Sequence, residues 1–396
     1  MLYIQELSPD GTVAVDDTIF AEGAGATAGS RILTGFQPLF DAEAVARLKR
    51  EGYTIAGKTN VGEFGLDLCG EFSYFGAQLK DGRLAGAAAS LVADRAVSAA
   101  LSVDVNGAPR RAAAISGVDF IKPTYGTVSR YGVIPCACSG EQIGVTAASA
   151  ETAASLLSVL SGHDPKDGTS QPAERYSYSA GAALRGKKVC VIRELLSGVS
   201  GDVGRRLGQC RARLLASGAA VDEISFGLCG AAGTAWQILM CAKTCNNLSR
   251  YDGVKFGYRA EQYNNIDELY INTRTEGLNF LTKSIILYGS DVLSKNRYLS
   301  CYDKSLRVRR LVYNAMTEVF RQYDLVLLPA ISDFALSPYD IRDAFARVFE
   351  ESVYSAIPNL IGIPAMVTSG IQLMAGHFQE NLLFSAAREL EEELPR

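Results

Sequence analysis

Short apolar segments alternate with amphipathic segments of helical length along most of this chain. Residues 188–193, 220–224 and 325–328 are short and rich in aliphatic side chains, whereas residues 202–217 and 303–323 have apolar positions at helical spacing. A strand followed by a helix and a further strand packs most simply as a layered sheet. The alternation therefore predicts an α/β protein with a central mixed or largely parallel β-sheet and helices on both faces.

A single domain over residues 1–396 is the simplest organisation for this sequence. At about 150 residues per domain, the length fits one large domain or two ordinary ones. No Pro-rich linker, repeat or low-complexity tract divides the chain, and 48% apolar residues are enough for a large core. Within this domain, the alanine-rich residues 87–101 are predicted to form one helix that is buried on all sides.

Composition excludes several classes of function. A net charge of −4 is too balanced for strong nucleic-acid or membrane binding. The two histidines, His163 and His377, argue against a multi-histidine metal site or a histidine-based triad. Nine scattered cysteines indicate reduced thiols and a cytoplasmic protein, and the acidic N-terminal segment is unlike a signal peptide. We expect neither a metal nor a cofactor, and we expect residues 223–243, which carry no charge between their ends, to form a buried helix.

Several motifs resemble those of one enzyme family. Residues 55–64, Ile-Ala-Gly-Lys-Thr-Asn-Val-Gly-Glu-Phe, resemble the lysine motif of the amidase-signature enzymes, and residues 120–133 and 142–144 resemble the stretch after their nucleophile. Within this family, residues 161–164, 248–253, 273–277 and 323–326 are similar to the A-type subunits of glutamyl-tRNA(Gln) amidotransferase. The resemblance covers residues 13–387 and implies an α/β/α amidase fold, without the family's N-terminal helices.

The same resemblance implies a degenerate catalytic triad. The family cleaves or transfers amides with a nucleophilic serine, a relay serine and a lysine base, and a turn of backbone N–H groups holds the oxyanion. Lys58 stands at the lysine position as a vestigial base, Leu84 at the relay-serine position and Ala108 at the nucleophile position. Because neither alanine nor leucine carries a hydroxyl, two triad members are missing. The oxyanion loop would be Val105, Asn106 and Gly107.

The substrate pocket is also expected to be eroded. Lys283 and Ser284 stand where the resemblance implies a pair of arginines, and Ser352 stands where it implies an aspartate. The family residues would hold the charged ends of a free amino acid. A chain with this remnant pocket is expected to bind glutamine poorly.

We expect a catalytically inactive amidase-fold protein that binds or assembles with amidotransferase-like partner subunits of the B and C types. Lys58 would then be a structural remnant, and Lys58, Leu84 and Ala108 should still converge in space. The alternative is an active amidase or glutamine amidotransferase subunit with a relocated nucleophile, Cys136 or Cys138. An unrelated function on the same fold is a third hypothesis. The basic residues 307–310 are predicted to form the solvated face of a helix, with an RNA or partner contact as the alternative.

Overall fold

Short strands and helices alternate in the computed structural model, which describes residues 1–80, 82–172, 176–181 and 183–391. The strands are β1 Tyr3–Glu6, β2 Val13–Asp16, β3 Ile55–Thr59, β4 Leu79–Lys80, β5 Arg83–Leu84, β6 Ala99–Asp104, β7 Asp119–Lys122, β8 Gln142–Ala147, β9 Lys188–Ile192, β10 Ala220–Ile224, β11 Leu325–Pro329, β12 Ala365–Thr368 and β13 Ile371–Ala375. The helices are α1 Glu43–Arg50, α2 Ala87–Ala93, α3 Ala108–Ser116, α4 Ala150–Leu160, α5 Gly201–Ala216, α6 Cys229–Leu248, α7 Ile266–Gly277, α8 Phe280–Leu293, α9 Lys304–Gln322, α10 Ala344–Ile361 and α11 Glu380–Glu391.

All strands except the β4–β5 hairpin belong to one mixed sheet, in the order β1-β3-β2-β6-β8-β7-β12-β13-β11-β9-β10. The β2–β3, β2–β6, β9–β10 and β9–β11 pairs are parallel, and the remaining neighbours are antiparallel. Strands β6, β7 and β8 are buried at every position because helices cover this part of the sheet. The predicted α/β fold with a mixed central sheet flanked by helices is confirmed.

The prediction of one helix over residues 87–101 is wrong. Helix α2 ends at Ala93, Arg95 has a φ of +58°, and β6 begins at Ala99. All six residues of β6 pair with β8, and Ala99, Ala100 and Leu101 also pair with β2 on the other side. Pairing with two neighbouring strands outweighs the helix propensity of the alanines, which is only a weak preference.

Helix α6 lies among the helices α8, α9 and α10 and contacts all three. It buries Trp236, Leu239 and Met240. This confirms the buried helix predicted from the uncharged residues 223–243, although the helix begins six residues later than that segment. None of the described helices is long and apolar enough to cross a membrane.

Candidate functional site

Ala108 lies where strand β6 turns into helix α3, and it is the first residue of that helix. Gly107 makes the turn with a φ of +86°, a conformation that glycine adopts without strain. A Cβ atom at this position would lie 2.5 Å from the Cβ of Ser355, so the turn is also closely packed against α10. Pro109 follows in the first turn of α3, where its missing N–H costs no helical hydrogen bond.

A buried ion pair holds this turn in place. Arg110 Nε donates to Asp104 Oδ2 at 2.6 Å, and Gly107 N donates to Asp104 Oδ1 at 2.9 Å. Arg110 also donates to Gln372 Oε1 at 2.8 Å and to Asn359 Oδ1. Burial opposes ionisation of Asp104, but the Arg110 guanidinium outweighs it, and the pKa of this carboxyl is below its ordinary value. The network joins β6, α3, α10 and β13 around the turn.

Several other groups of the predicted oxyanion loop have partners within the protein, although the side-chain amide nitrogen of Asn106 is buried without one. The carbonyl oxygen of Asn106 accepts hydrogen bonds from both terminal nitrogens of Arg111, at 2.7 and 2.8 Å, and from the Ser355 hydroxyl at 3.1 Å. The Asn106 side-chain oxygen accepts from Trp236 Nε1 at 3.0 Å, and Val105 is buried. Together with the Gly107 N–H, which is bonded to the end of β6, these contacts make the loop a rigid part of the core.

Ala108 lines a cavity of about 40 Å³. Ligand pockets usually enclose roughly 300–1,000 Å³, whereas a space of this size holds only a few water molecules. Neither Lys58 nor Leu84 is among the described residues that line the cavity, but Asp16, whose carboxyl interacts with Lys58, does line it. The convergence of the three triad positions stays a prediction. The polar residues of its wall are Asp16, Asn60, Asp67, Gln78 and Ser102.

Lys58 is fully buried on β3, and its ammonium group donates a hydrogen bond to the carbonyl oxygen of Ile19. Burial lowers the pKa of Lys58 to about 8, and the carboxyls of Asp17 and Asp16 favour its charged form. This lysine therefore belongs to a buried cluster with two carboxyls, Asp16 and Asp17. The arrangement is that of a structural ion cluster, the simpler of the two interpretations of Lys58.

Leu84 lies on the short strand β5, opposite Leu79 on β4. Its backbone N–H donates to the carbonyl oxygen of Leu336 at 3.0 Å, and its side chain is fully buried in the apolar core. Leu84 thus fills apolar space and contributes no polar side-chain group to its surroundings.

Asp16 is a residue that sequence reasoning missed. It ends β2, and its carboxylate accepts from Val103 N at 3.0 Å and from the Thr59 hydroxyl at 3.1 Å. Burial raises the pKa of Asp16 to about 7, although these hydrogen bonds and Lys58 oppose the rise. Two consecutive aspartates directly after the apolar residues 13–15 were the available signal, because carboxyls at a buried strand end need partners.

Comparisons with known sequences and structures identify the family and the fold of this chain. The model of the family described as Amidase matches residues 12–384. The chain belongs to the amidase family. It is 34% identical to the A-type subunit of glutamyl-tRNA(Gln) amidotransferase from Lachnoclostridium phytofermentans, over 96% of this chain and 82% of that protein. The crystal structure of the A-type subunit from Thermotoga maritima has a TM-score of 0.83 and 26% identity, over 100% of this chain and 88% of that one. The Stenotrophomonas maltophilia peptide amidase, with a TM-score of 0.77 and 24% identity over 97% and 82% of the two chains, shares the fold.

Of the three residues predicted as the remnant of an amidase substrate pocket, only Ser352 is connected to the Ala108 turn. Ser352 is buried on α10, its hydroxyl accepts from Gln237 Nε2 at 2.7 Å, and its carbonyl oxygen accepts from the Ser355 hydroxyl at 3.4 Å. Lys283 and Ser284 lie on α8 and bond to backbone carbonyls of their own region. The structure thus places these two residues in a different region from Ser352.

The two candidate cysteine nucleophiles of this amidase-family chain differ in environment. Cys136 is buried against Thr244, with 3.4 Å between Sγ and Oγ1, and burial raises the pKa of its thiol well above the ordinary value. Cys138 is half-buried and lines an open cavity of about 200 Å³ that also includes Arg130. Neither cysteine is among the described residues that line the Ala108 cavity. Over the same described part of the chain, no cluster of three or more His, Cys, Asp or Glu residues could hold a metal ion.

Proposed function

We propose that this chain is a catalytically inactive homologue of the A-type subunit of glutamyl-tRNA(Gln) amidotransferase and that it acts as a binding or assembly protein. The observation that carries the proposal is the methyl group of Ala108 at the β6–α3 turn, beside a cavity of about 40 Å³. At the nucleophile position of an acyl-transfer enzyme, a methyl group cannot attack a carbonyl carbon. Removal of such a nucleophile typically lowers turnover by about 10⁶-fold.

The surroundings of Ala108 support the same proposal. The cavity is too small to enclose a free amino acid, and Lys58 is engaged by Ile19 and two carboxyls. A general base must lie within hydrogen-bond reach of the proton that it removes. A protein that keeps the fold but lacks the nucleophile, the base contact and the substrate space is suited to binding a partner.

The partners that fit this proposal are amidotransferase-like subunits of the B and C types. The similar proteins are named as subunits of an amidotransferase, and this chain is similar to them over nearly its whole length. A cytoplasmic location, with reduced cysteines, is part of the same proposal.

The deciding experiment is a glutaminase and amidase assay on the purified protein. We expect no turnover of glutamine or of a small uncharged amide above the rate in buffer. The partner role is tested by size-exclusion chromatography of the chain mixed with purified B- and C-type subunits. Turnover by the unmodified protein that survives replacement of both Cys136 and Cys138 would contradict the inactive-homologue proposal.

The second candidate function is an active amidase with Cys138 as nucleophile, and the open cavity beside this thiol favours it over the buried Cys136. Glutaminase activity that is lost on alkylation and in Cys138→Ser would support this candidate. The matched control is Cys245→Ser, because Cys245 is also half-buried but lies on α6. Activity that responds equally to both substitutions would argue against a nucleophilic role for Cys138.

A further inference from the structure

One side of helix α9 is buried, and the other side exposes apolar, aromatic and cationic side chains. Its buried side includes Val312 and Met316, which belong to the core. The exposed stripe consists of Leu306, Arg310 and Tyr313, which are spaced four and three residues apart and therefore lie on one face. Leu299, in the π-helical turn at residues 298–303 that precedes α9, is 71% exposed. We call Leu299, Leu306, Arg310 and Tyr313 the α9 stripe.

The charged side chains next to the α9 stripe in the sequence are cationic. Between Lys304 and Thr317 the sequence contains four cationic side chains and no acidic residue. The nearest carboxylate in sequence, Asp303, pairs with Arg307 at 3.1 Å. Among the described ion pairs none involves Lys304, Arg309 or Arg310, and the Arg310 guanidinium lies 5.6 Å from the Tyr313 ring centroid. Arg309 is partly buried, so Lys304 and Arg310 are the two exposed cations of this segment that have no described ion pair.

We propose that the α9 stripe is a docking surface for an acidic amphipathic helix of a partner protein. Charge complementarity carries the choice of partner, because carboxylates beside an apolar ridge would match the cations and the leucines at once. At 1.5 Å of rise per residue, the distance along the axis from Leu299 to Tyr313 is about 21 Å, or four turns of a partner helix. The inference goes beyond the proposed function, because it does not depend on whether the Ala108 site is inactive.

Two other occupants fit the stripe less well. Single-stranded RNA binds to aromatic platforms on which its bases stack, whereas Tyr313 is the one aromatic member of the stripe and Leu299 and Leu306 are aliphatic. A membrane surface needs a broad apolar face on an amphipathic helix. The main apolar face of α9 is already buried against the core through Val312 and Met316. A protein helix satisfies both the aliphatic and the cationic members of the stripe.

The test measures binding of a fluorescent 18-residue peptide of leucine and glutamate, with leucine at helical spacing, to the full chain by anisotropy. A scrambled peptide of the same composition keeps the charge but loses the one-sided apolar face. We expect Arg310→Glu and Leu306→Asp each to weaken binding by roughly tenfold or more, as at the centre of an interface. The matched controls are Arg205→Glu and Leu215→Asp on α5, where both residues are exposed, and these should change binding less than twofold.

Hydrogen exchange should show that the helical peptide protects residues 299–313. Three results would overturn the proposal. The first is no binding up to about 1 mM peptide, and the second is equal binding of the scrambled peptide or of the α9 variants. The third is tighter binding of an oligouridine RNA or of phosphatidylserine vesicles than of the peptide. The circular dichroism spectrum of each variant shows whether it is folded, so a loss of binding can be assigned to the surface.

Discussion

Replacement of Lys58 by methionine tests whether this lysine is a structural cation. Methionine keeps a flexible unbranched side chain in the same fully buried space but removes the charge that faces Asp16 and Asp17. It also leaves the carbonyl oxygen of Ile19 without its ammonium donor. The variant therefore leaves two buried carboxyls without a cation.

Removing one partner of a buried ion pair costs about 3–5 kcal/mol, and this is the upper limit here because Lys58 interacts with Asp16 and Asp17 without a described salt bridge to either. The entropy of unfolding is about 2.1 cal/mol/K per residue, or roughly 0.8 kcal/mol/K for 396 residues. A loss of this size in the free energy of unfolding lowers the Tm by about 4–6 °C. We expect a loss of up to this size for Lys58→Met at pH 8, where the carboxyls of the unfolded chain are ionised and about half of the folded molecules carry the Lys58 charge, since its pKa is about 8.

The loss in the free energy of unfolding that Lys58→Met causes should depend on pH. Burial raises the pKa of Asp16 to about 7 in the folded protein, from an ordinary value of 3.8, so the folded state holds a proton that the unfolded state has released. The Asp16 carboxyl therefore contributes to the free energy of unfolding at low pH, and this contribution decreases as the pH rises from about 4 to 7. Without Lys58, the pKa of Asp16 and that of Asp17 rise further, and the decrease becomes larger. At pH 5 the Asp16 carboxyl of the folded protein is mostly protonated, and the variant should approach the wild type.

Urea unfolding at pH 5 and pH 8, followed by circular dichroism, measures the effect. Lys49→Met is the matched control, because Lys49 pairs with Asp41 at 2.8 Å on the surface and its loss should cost less than about 1 kcal/mol. An equal destabilisation of Lys58→Met at both pH values would refute the electrostatic argument. So would a stability at pH 8 that matches the wild type.

Three further predictions concern the turn and the thiols. The double variant Ala108→Ser, Leu84→Ser should stay inactive in a glutaminase assay, because a 40 Å³ cavity cannot enclose the amino acid; robust turnover would contradict this. Gly107→Ala should lower the free energy of unfolding by at least about 1–2 kcal/mol, because a Cβ at a φ of +86° is strained; an unchanged urea midpoint would contradict it. In a timed iodoacetamide reaction followed by mass spectrometry, Cys301 should react before Cys136. The reason is that a hydrogen bond from a neighbouring arginine lowers the pKa of the Cys301 thiol, whereas burial raises that of Cys136. Faster reaction of Cys136 would contradict this prediction.

The local spacing of apolar residues in the sequence was sufficient to predict many of the helices and strands. Strand β10 lies where the pattern predicts it, and α5 and α9 each differ from their predicted bounds by one residue at each end. These elements are predictable because apolar spacing within a few residues specifies which face is buried. The motif resemblance likewise assigns Ala108 to the nucleophile position by its distance from residues 120–133, and this needs only sequence order.

The tertiary structure alone decided what surrounds each site residue. The alanine-rich residues 87–101 divide into a helix and a central strand because β2 and β8, which are distant in sequence, pair with the second half. Lys58 donates to Ile19 and interacts with Asp16 and Asp17 because β2 lies beside β3 in the sheet. Desolvation, pKa and cavity volume depend on contacts between segments that are far apart in sequence. The chemistry of the site is therefore set by packing, which periodicity and motif spacing do not contain.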